Sequence, residues 1–179
     1  KGLRMRISGL GAKVMQKLGV QTETLSDNDV LFALETGALE AAEFYQPAID
    51  LQLGLHKVAK NYYFPSWHQP ATLFEIIINL NAWEALSATQ KFQLEAVCGD
   101  NVLHSLAHSE AIQFNALKQM ISEGVKLQTW PKEILSQLQA AWQDVVVDES
   151  LANANFKDVW RSQKAFREEF SIWHELTQP

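Results

Sequence analysis

Apolar and polar positions alternate with short periods at the start of the chain and take a helical period in its second half. Residues 5–8 read as a strand closed by Gly9 and Gly11. Residues 12–18 read as a short helix stopped by Gly19 in a C-cap role. A second strand is expected over residues 20–25. Ser26 or Asp27 stands where an N-cap would open a helix running through Glu35, with Gly37 behind it. Residues 39–44 read as a strand, and Pro47 lies near the start of a helix reaching to about residue 59. Strand and helix in alternation point to an α/β architecture with parallel pairing.

The stretch Lys60-Asn61-Tyr62-Tyr63-Phe64-Pro65-Ser66-Trp67-His68-Gln69-Pro70 is dense in aromatics and carries two prolines. It suits a strand leading into an ordered loop. Residues 72–79 have a strongly β-like pattern, with Ile76-Ile77-Ile78 expected as buried core. Asn81 is placed to cap a short turn containing Trp83. From Ser87 the character changes. Ser87-x-x-Gln90 is a capping-box pattern, and apolar positions then recur with a helical period from Phe92 to Ile121, stopping at Gly124. That predicts one helix from about residue 87 to 123, of order 50 Å long at about 1.5 Å per residue, with Gly99 as a bend. A short strand over residues 125–129, a helix opened by Pro131 and ending near residue 147, and a last helix over residues 155–174 complete the pattern. No repeat, low-complexity tract or linker interrupts it.

Composition narrows the class. With 47% hydrophobic and 20% charged residues, the 179-residue chain has the balance of a globular protein. No apolar run approaches the roughly 20 residues that a membrane-spanning helix needs. A net charge of -6 argues against a nucleic-acid binder, which usually carries a basic face. One placed arginine would still serve an anionic ligand. The single cysteine, Cys98, excludes an internal disulfide and says nothing about compartment. The chain starts at Lys1, inside a strand-like run and without a signal peptide, so an upstream portion is expected to be missing.

Candidate chemistry is sparse. Arg6 follows Arg4 by two residues on the first strand, so both face one side. A guanidinium clamps a carboxylate through two parallel hydrogen bonds, although an arginine at a strand end is commonly just a surface charge. Glu43 ends a run of small residues beside Phe44 and Tyr45. Burial there demands a partner, either a hard cation or an opposing charge. His104 and His108 share a helix face at i, i+4 but lack the intervening Glu of a zinc-protease pattern, and read as solvated. His68 either orients a pocket or caps a turn. Ser8 and Ser66 have no evident base, so no nucleophilic set is present. Cys98 reads as core. Trp130, Trp142, Trp160, Phe166, Phe170 and Trp173 form either a packing stripe or a dimer surface.

Four stretches in order carry a family resemblance. Lys1-Gly2-Leu3-Arg4-Met5-Arg6-Ile7 resembles the "KGLKxR" strand of DctP-type receptors of TRAP transporters. Residues 33–43, Ala-Leu-Glu-Thr-Gly-Ala-Leu-Glu-Ala-Ala-Glu, resemble their "ALxTGxxDAxE" segment. Tyr62-Tyr63-Phe64-Pro65-Ser66-Trp67-His68-Gln69-Pro70 resembles "YYYPGWHEP" of the branch that binds 2-oxo and 2-hydroxy monocarboxylates. Asn81-Ala82-Trp83-Glu84-Ala85-Leu86 resembles the "KKAWDAL" that precedes a long helix. The resemblance covers essentially the whole chain and corresponds to the C-terminal half of such a receptor.

It implies a two-lobed periplasmic receptor that closes on its ligand and docks on TRAP membrane subunits, with residues 1–179 contributing to both lobes. Arg6 then takes the position of the carboxylate-binding arginine. Glu43, the backbone carbonyl of Phe44 and the side-chain oxygen of Gln69 take the positions that hold a calcium or sodium ion against the ligand. Trp67 and His68 join the ligand-binding set, and homodimers form through the C-terminal helices. Two departures stand out: the branch usually has Trp where this chain has Phe44, and Glu where it has Gln69. The expected function is binding of a small 2-oxo or 2-hydroxy carboxylate for TRAP uptake, not catalysis. The alternatives are a truncated derivative acting as an interaction or dimeric structural protein, and a metal-dependent enzyme resting on Glu43 and the histidines.

Overall fold

The computed structural model describes residues 2–69 and 71–177. The chain divides into two compact units, Lys1–Leu25 with Trp130–Pro179, and Ser26–Thr129.

In the first unit, β1 (Arg4–Arg6) and β2 (Gln21–Glu23) pair in parallel, Met5 opposite Thr22, across α1 (Gly9–Lys17). The connection obeys strand alternation. Met5 and Ile7 are buried while Arg4 and Arg6 take the other face. α7 (Lys132–Ala152) packs on α1 through Val14 and Val145, both fully buried, with Lys13–Glu149 and Lys17–Asp148 ion pairs at the rim. α8 (Ala154–Thr177) packs back on α7, and Trp142 meets Trp160 edge-on at 5.4 Å between ring centres. α7 runs five residues past its expected end near Val147, to a break at Asn153, whose side chain accepts from the Phe156 N–H. The aromatic run is therefore divided: Trp142 and Trp160 pack, whereas Phe166, Phe170 and Trp173 are exposed.

The second unit starts with α2 (Asp27–Glu35), a two-residue strand β3 (Ala41–Ala42), α3 (Pro47–Gln52) and α4 (Leu55–Val58). The expected strand over residues 39–44 thus shortens to two residues. The single helix expected after Pro47 is two, because Gly54 adopts φ 78° and breaks the helical run. β4 (Asn61–Phe64) pairs in parallel with β5 (Lys126–Thr129), Tyr62 opposite Leu127. α5 (Leu80–Glu84) is capped by Asn79, not Asn81: the Asn79 Oδ1 accepts from the Asn81 and Ala82 N–H groups. α6 (Ala88–Ser122) is one continuous 35-residue helix through Gly99, opened by the expected Ser87–Gln90 capping box and closed before Gly124.

α6 is clamped at its C-terminal end. Gln113 accepts from the Ala48 N–H (3.0 Å) and donates to Gln46 (2.9 Å), and buried His56 of α4 bonds Glu123 at 2.8 Å. Met120 is fully buried beneath these contacts. Its N-terminal half is exposed instead, including Phe92, Val97, Leu103 and Leu106, and Cys98 with them. Cys98 is therefore not core: within its unit, packing reaches α6 only at the far end.

The other correction concerns residues 72–79, expected as a strand with Ile76-Ile77-Ile78 as buried core. They form no strand, and Leu73 and Ile77 are 90% and 88% exposed. A strand exists only where a neighbour takes its backbone hydrogen bonds, and among the described residues none pairs with this segment.

Candidate functional site

Arg6 is the last residue of β1 and half-buried. Its Nε–H is enclosed without a hydrogen-bond acceptor among the described residues, although the residue is engaged through other contacts. Arg4 lies exposed on the same side. Arg6 belongs to the first unit. The remaining expected residues belong to the second.

There, two irregular segments meet. Residues 43–46 follow β3, and residues 65–69 follow β4, beginning with a cis Phe64–Pro65 peptide. Glu43 Oε1 lies 4.0 Å from His68 Nε2, with the two side chains 28% and 18% exposed. Trp67 covers His68, ring centres 4.4 Å apart and tilted by 33°. Burial pushes the His68 imidazole below its ordinary value, which favours the neutral ring. Its Nδ1 is enclosed and lacks a partner among the described residues. Gln69 is exposed; its Nε2 donates to Thr72 at 3.1 Å and its carbonyl accepts from Ser66 at 3.2 Å. With the amide nitrogen turned to Thr72, the side-chain oxygen is the face offered elsewhere.

Beneath both segments sits a residue that pattern reading missed. Asp50 of α3 is only 5% exposed. Its Oδ1 accepts from the Tyr45 N–H at 3.3 Å and its Oδ2 from the Tyr62 hydroxyl. Burial pushes the Asp50 carboxyl up, against the two hydrogen bonds that favour its charged form. The Tyr62 hydroxyl is pushed far up by burial and then by Asp50's charge, so it stays protonated and donates. An acidic residue one turn after a helix-opening proline, among apolar neighbours, was the available signal.

Glu43 brings a carboxylate, Phe44 a backbone carbonyl and Gln69 an amide oxygen. All are hard oxygen donors, the chemistry that calcium and sodium take. Only one of the three is charged, and among the described residues no group of three or more His, Cys, Asp or Glu side chains is arranged for a metal ion. The donor set thus fits an oxygen-ligated cation and not zinc. His104 and His108 are exposed with stacked rings 5.7 Å apart and have no third ligand. A concavity of about 590 Å³ in this unit, bordered by Glu35, His56, Lys57 and Glu123, involves none of the expected ligand residues.

Bacterial extracellular solute-binding protein, family 7 (DctP), matches residues 1–152. The chain belongs to this family. A monocarboxylate 2-oxoacid-binding periplasmic protein of Nostoc sp. is 34% identical over 178 residues, covering 99% of this chain and 49% of that protein. A TRAP transporter solute-binding protein of Bordetella bronchiseptica superposes with a TM-score of 0.90 at 34% identity, over 99% of this chain and 53% of that one. It is a mixed-occupancy dimer with copurified calcium and picolinate in one active site. A TRAP periplasmic solute-binding protein of Pseudoalteromonas atlantica, with bound sodium and pyruvate, gives 0.87 at 26% identity, over 99% of this chain and 54% of that one. The α/β fold expected for a DctP receptor is thus the fold observed. This DctP chain spans about half the length of the relatives it matches.

Proposed function

We propose that this chain forms the C-terminal half of a periplasmic TRAP receptor for a small 2-oxo or 2-hydroxy carboxylate, bound together with a calcium or sodium ion. The observation that supports the reading is the approach of Glu43 to His68, 4.0 Å apart, with the Trp67 ring against His68. Relatives that bind 2-oxoacids, or hold picolinate or pyruvate beside calcium or sodium, support the same chemistry. On this reading Arg6 takes the carboxylate as a bidentate clamp. Glu43, the Phe44 carbonyl and Gln69 hold the cation, and the cation takes the oxygen at carbon 2. Trp67 and neutral His68 close the pocket against water. The two compact units are the parts that this chain gives to the two lobes. The ligand leaves chemically unchanged, handed to TRAP membrane subunits.

The test is a panel titration of the full-length gene product with pyruvate, lactate, alanine and glucuronate. Pyruvate and lactate should bind and alanine should not, because its ammonium group would face the cation. Binding of alanine alone, or of glucuronate alone, would reject the proposal. A second reading, an interaction or dimeric protein that binds no solute, draws on the exposed apolar residues of 73–78 and α6. It predicts self-association with no response to any acid in the panel.

A further inference from the structure

We infer that Asp50 is a positioning residue for the cation site: it fixes and polarises the Phe44–Tyr45 peptide so that the Phe44 carbonyl oxygen serves as a metal ligand. The inference rests on the proposed cation site of Glu43, Phe44 and Gln69.

The peptide plane carries the argument. In a trans peptide the carbonyl and the N–H lie in one plane and point in opposite directions, and the Phe44–Tyr45 bond is trans. Whatever holds the Tyr45 N–H therefore aims the Phe44 oxygen away from it. Asp50 Oδ1 is that acceptor. Residues 43–46 lie between β3 and α3, outside both elements, and within them the Tyr45 N–H is held by the Asp50 side chain.

The anchor also reaches the second ligand segment. Asp50 Oδ2 accepts from Tyr62 on β4, and β4 leads directly into Pro65 and the Trp67–Gln69 turn. One carboxylate thus joins the segment carrying Glu43 and Phe44 to the segment carrying Gln69. All of these residues lie within one compact unit. Tyr62 is itself seated against Phe64, ring centres 5.1 Å apart, which limits its freedom to leave.

Charge distinguishes this role from plain structural support. A carboxylate on an amide N–H pulls electron density toward the carbonyl oxygen, and a cation on that oxygen makes the N–H a better donor. The two interactions strengthen each other across a single peptide. At 3.3 Å the bond from Tyr45 to Asp50 is long for a charge-assisted contact, leaving room to tighten when the oxygen is coordinated. Burying a carboxylate is costly; a neutral amide has a single acceptor oxygen and could keep only one of the two hydrogen bonds that Asp50 accepts on its two oxygens. Its charge is useful where a cation sits at the other end of the same peptide group. It also supplies negative charge behind a ligand set whose third member, Gln69, is neutral.

The experiment is calorimetric titration of Ca²⁺ into the full-length gene product, with the Tyr45 amide proton followed by NMR. Parent, Asp50→Asn, Tyr62→Phe and Glu43→Gln forms are compared, with thermal melts alongside. Loss of an outer partner of a metal ligand costs about 10- to 100-fold in affinity, so Asp50→Asn should weaken Ca²⁺ by at least about 10-fold. In the parent, Ca²⁺ should move the Tyr45 amide proton downfield, and in Asp50→Asn that movement should be lost. Tyr62→Phe keeps the Asp50 carboxylate and its Tyr45 contact; it should weaken Ca²⁺ less and keep the shift, and it carries the test should Asp50→Asn fail to fold. A purely structural Asp50 would lower the melts and leave affinity and the amide shift unchanged in the folded variants. That result, with Glu43→Gln still abolishing binding, overturns the inference and leaves the cation site standing. A parent that binds no Ca²⁺ overturns both.

Discussion

Arg6 and Gln69 are the two residues at which side-chain chemistry bears most directly on the proposed ligand. A guanidinium offers two parallel donors in a fixed plane, and an ammonium offers one point charge. Arg6→Lys should leave folding intact, because Met5 and Ile7, not Arg6, hold β1 in its core. A charged hydrogen bond is worth about 1.5–3 kcal/mol, so carboxylate affinity should fall by at least about 10-fold on titration of the full-length gene product. Gln69→Glu adds a negative charge to a donor set with one carboxylate, and divalent affinity rises with ligand charge. Ca²⁺ should tighten relative to the parent; an unchanged constant would remove Gln69 from the ligand set. Residue by residue, the site was legible only through motif order. Nothing in the local pattern marks Glu43 as lying near His68, since that approach joins two loops separated by two helices and a strand. The partners of Asp50 were hidden for the same reason: Tyr45 and Tyr62 sit five and twelve residues away and meet it only once α3 folds between them.

Among the elements, those fixed by local chemistry were readable. The Ser87–Gln90 capping box is a contact between residues three apart, and it opened α6 where expected. Gly124, at φ 91°, closed it. Elements that need a distant neighbour were not readable. Residues 72–79 have strand composition, but composition supplies no hydrogen-bond partner, and they form no strand and are exposed here. Periodicity likewise predicts which α6 residues share a face, not which part of that face is covered. This contrast gives a test on one helix. Met120→Ala removes a fully buried side chain at the clamped end and should cost about 2–5 kcal/mol in urea unfolding. Phe92→Ala, 69% exposed near the other end, should change stability by no more than about 0.5 kcal/mol. Equal costs would mean that α6 packs along its whole length.

At the scale of the molecule, exposed apolar side chains concentrate in residues 73–78, in the N-terminal half of α6 and in the last turns of α8. Large apolar patches rarely stay uncovered in monomers. Made by itself, the chain should therefore self-associate at micromolar concentration, and sedimentation should give a dimer or larger. A clean 20.2 kDa monomer that stays soluble when concentrated would contradict this. The family and the α/β class were legible in the order of four motifs, because each motif reports on a separate segment and their joint spacing is hard to reach by chance. The proposed solute depends on the whole receptor, and one measurement addresses it most directly: calorimetric titration of pyruvate into the metal-stripped full-length gene product, with and without Ca²⁺. Saturable binding that tightens when Ca²⁺ is present is the predicted result. Pyruvate binding of equal strength with and without Ca²⁺ and Na⁺, or no binding under either condition, would contradict it.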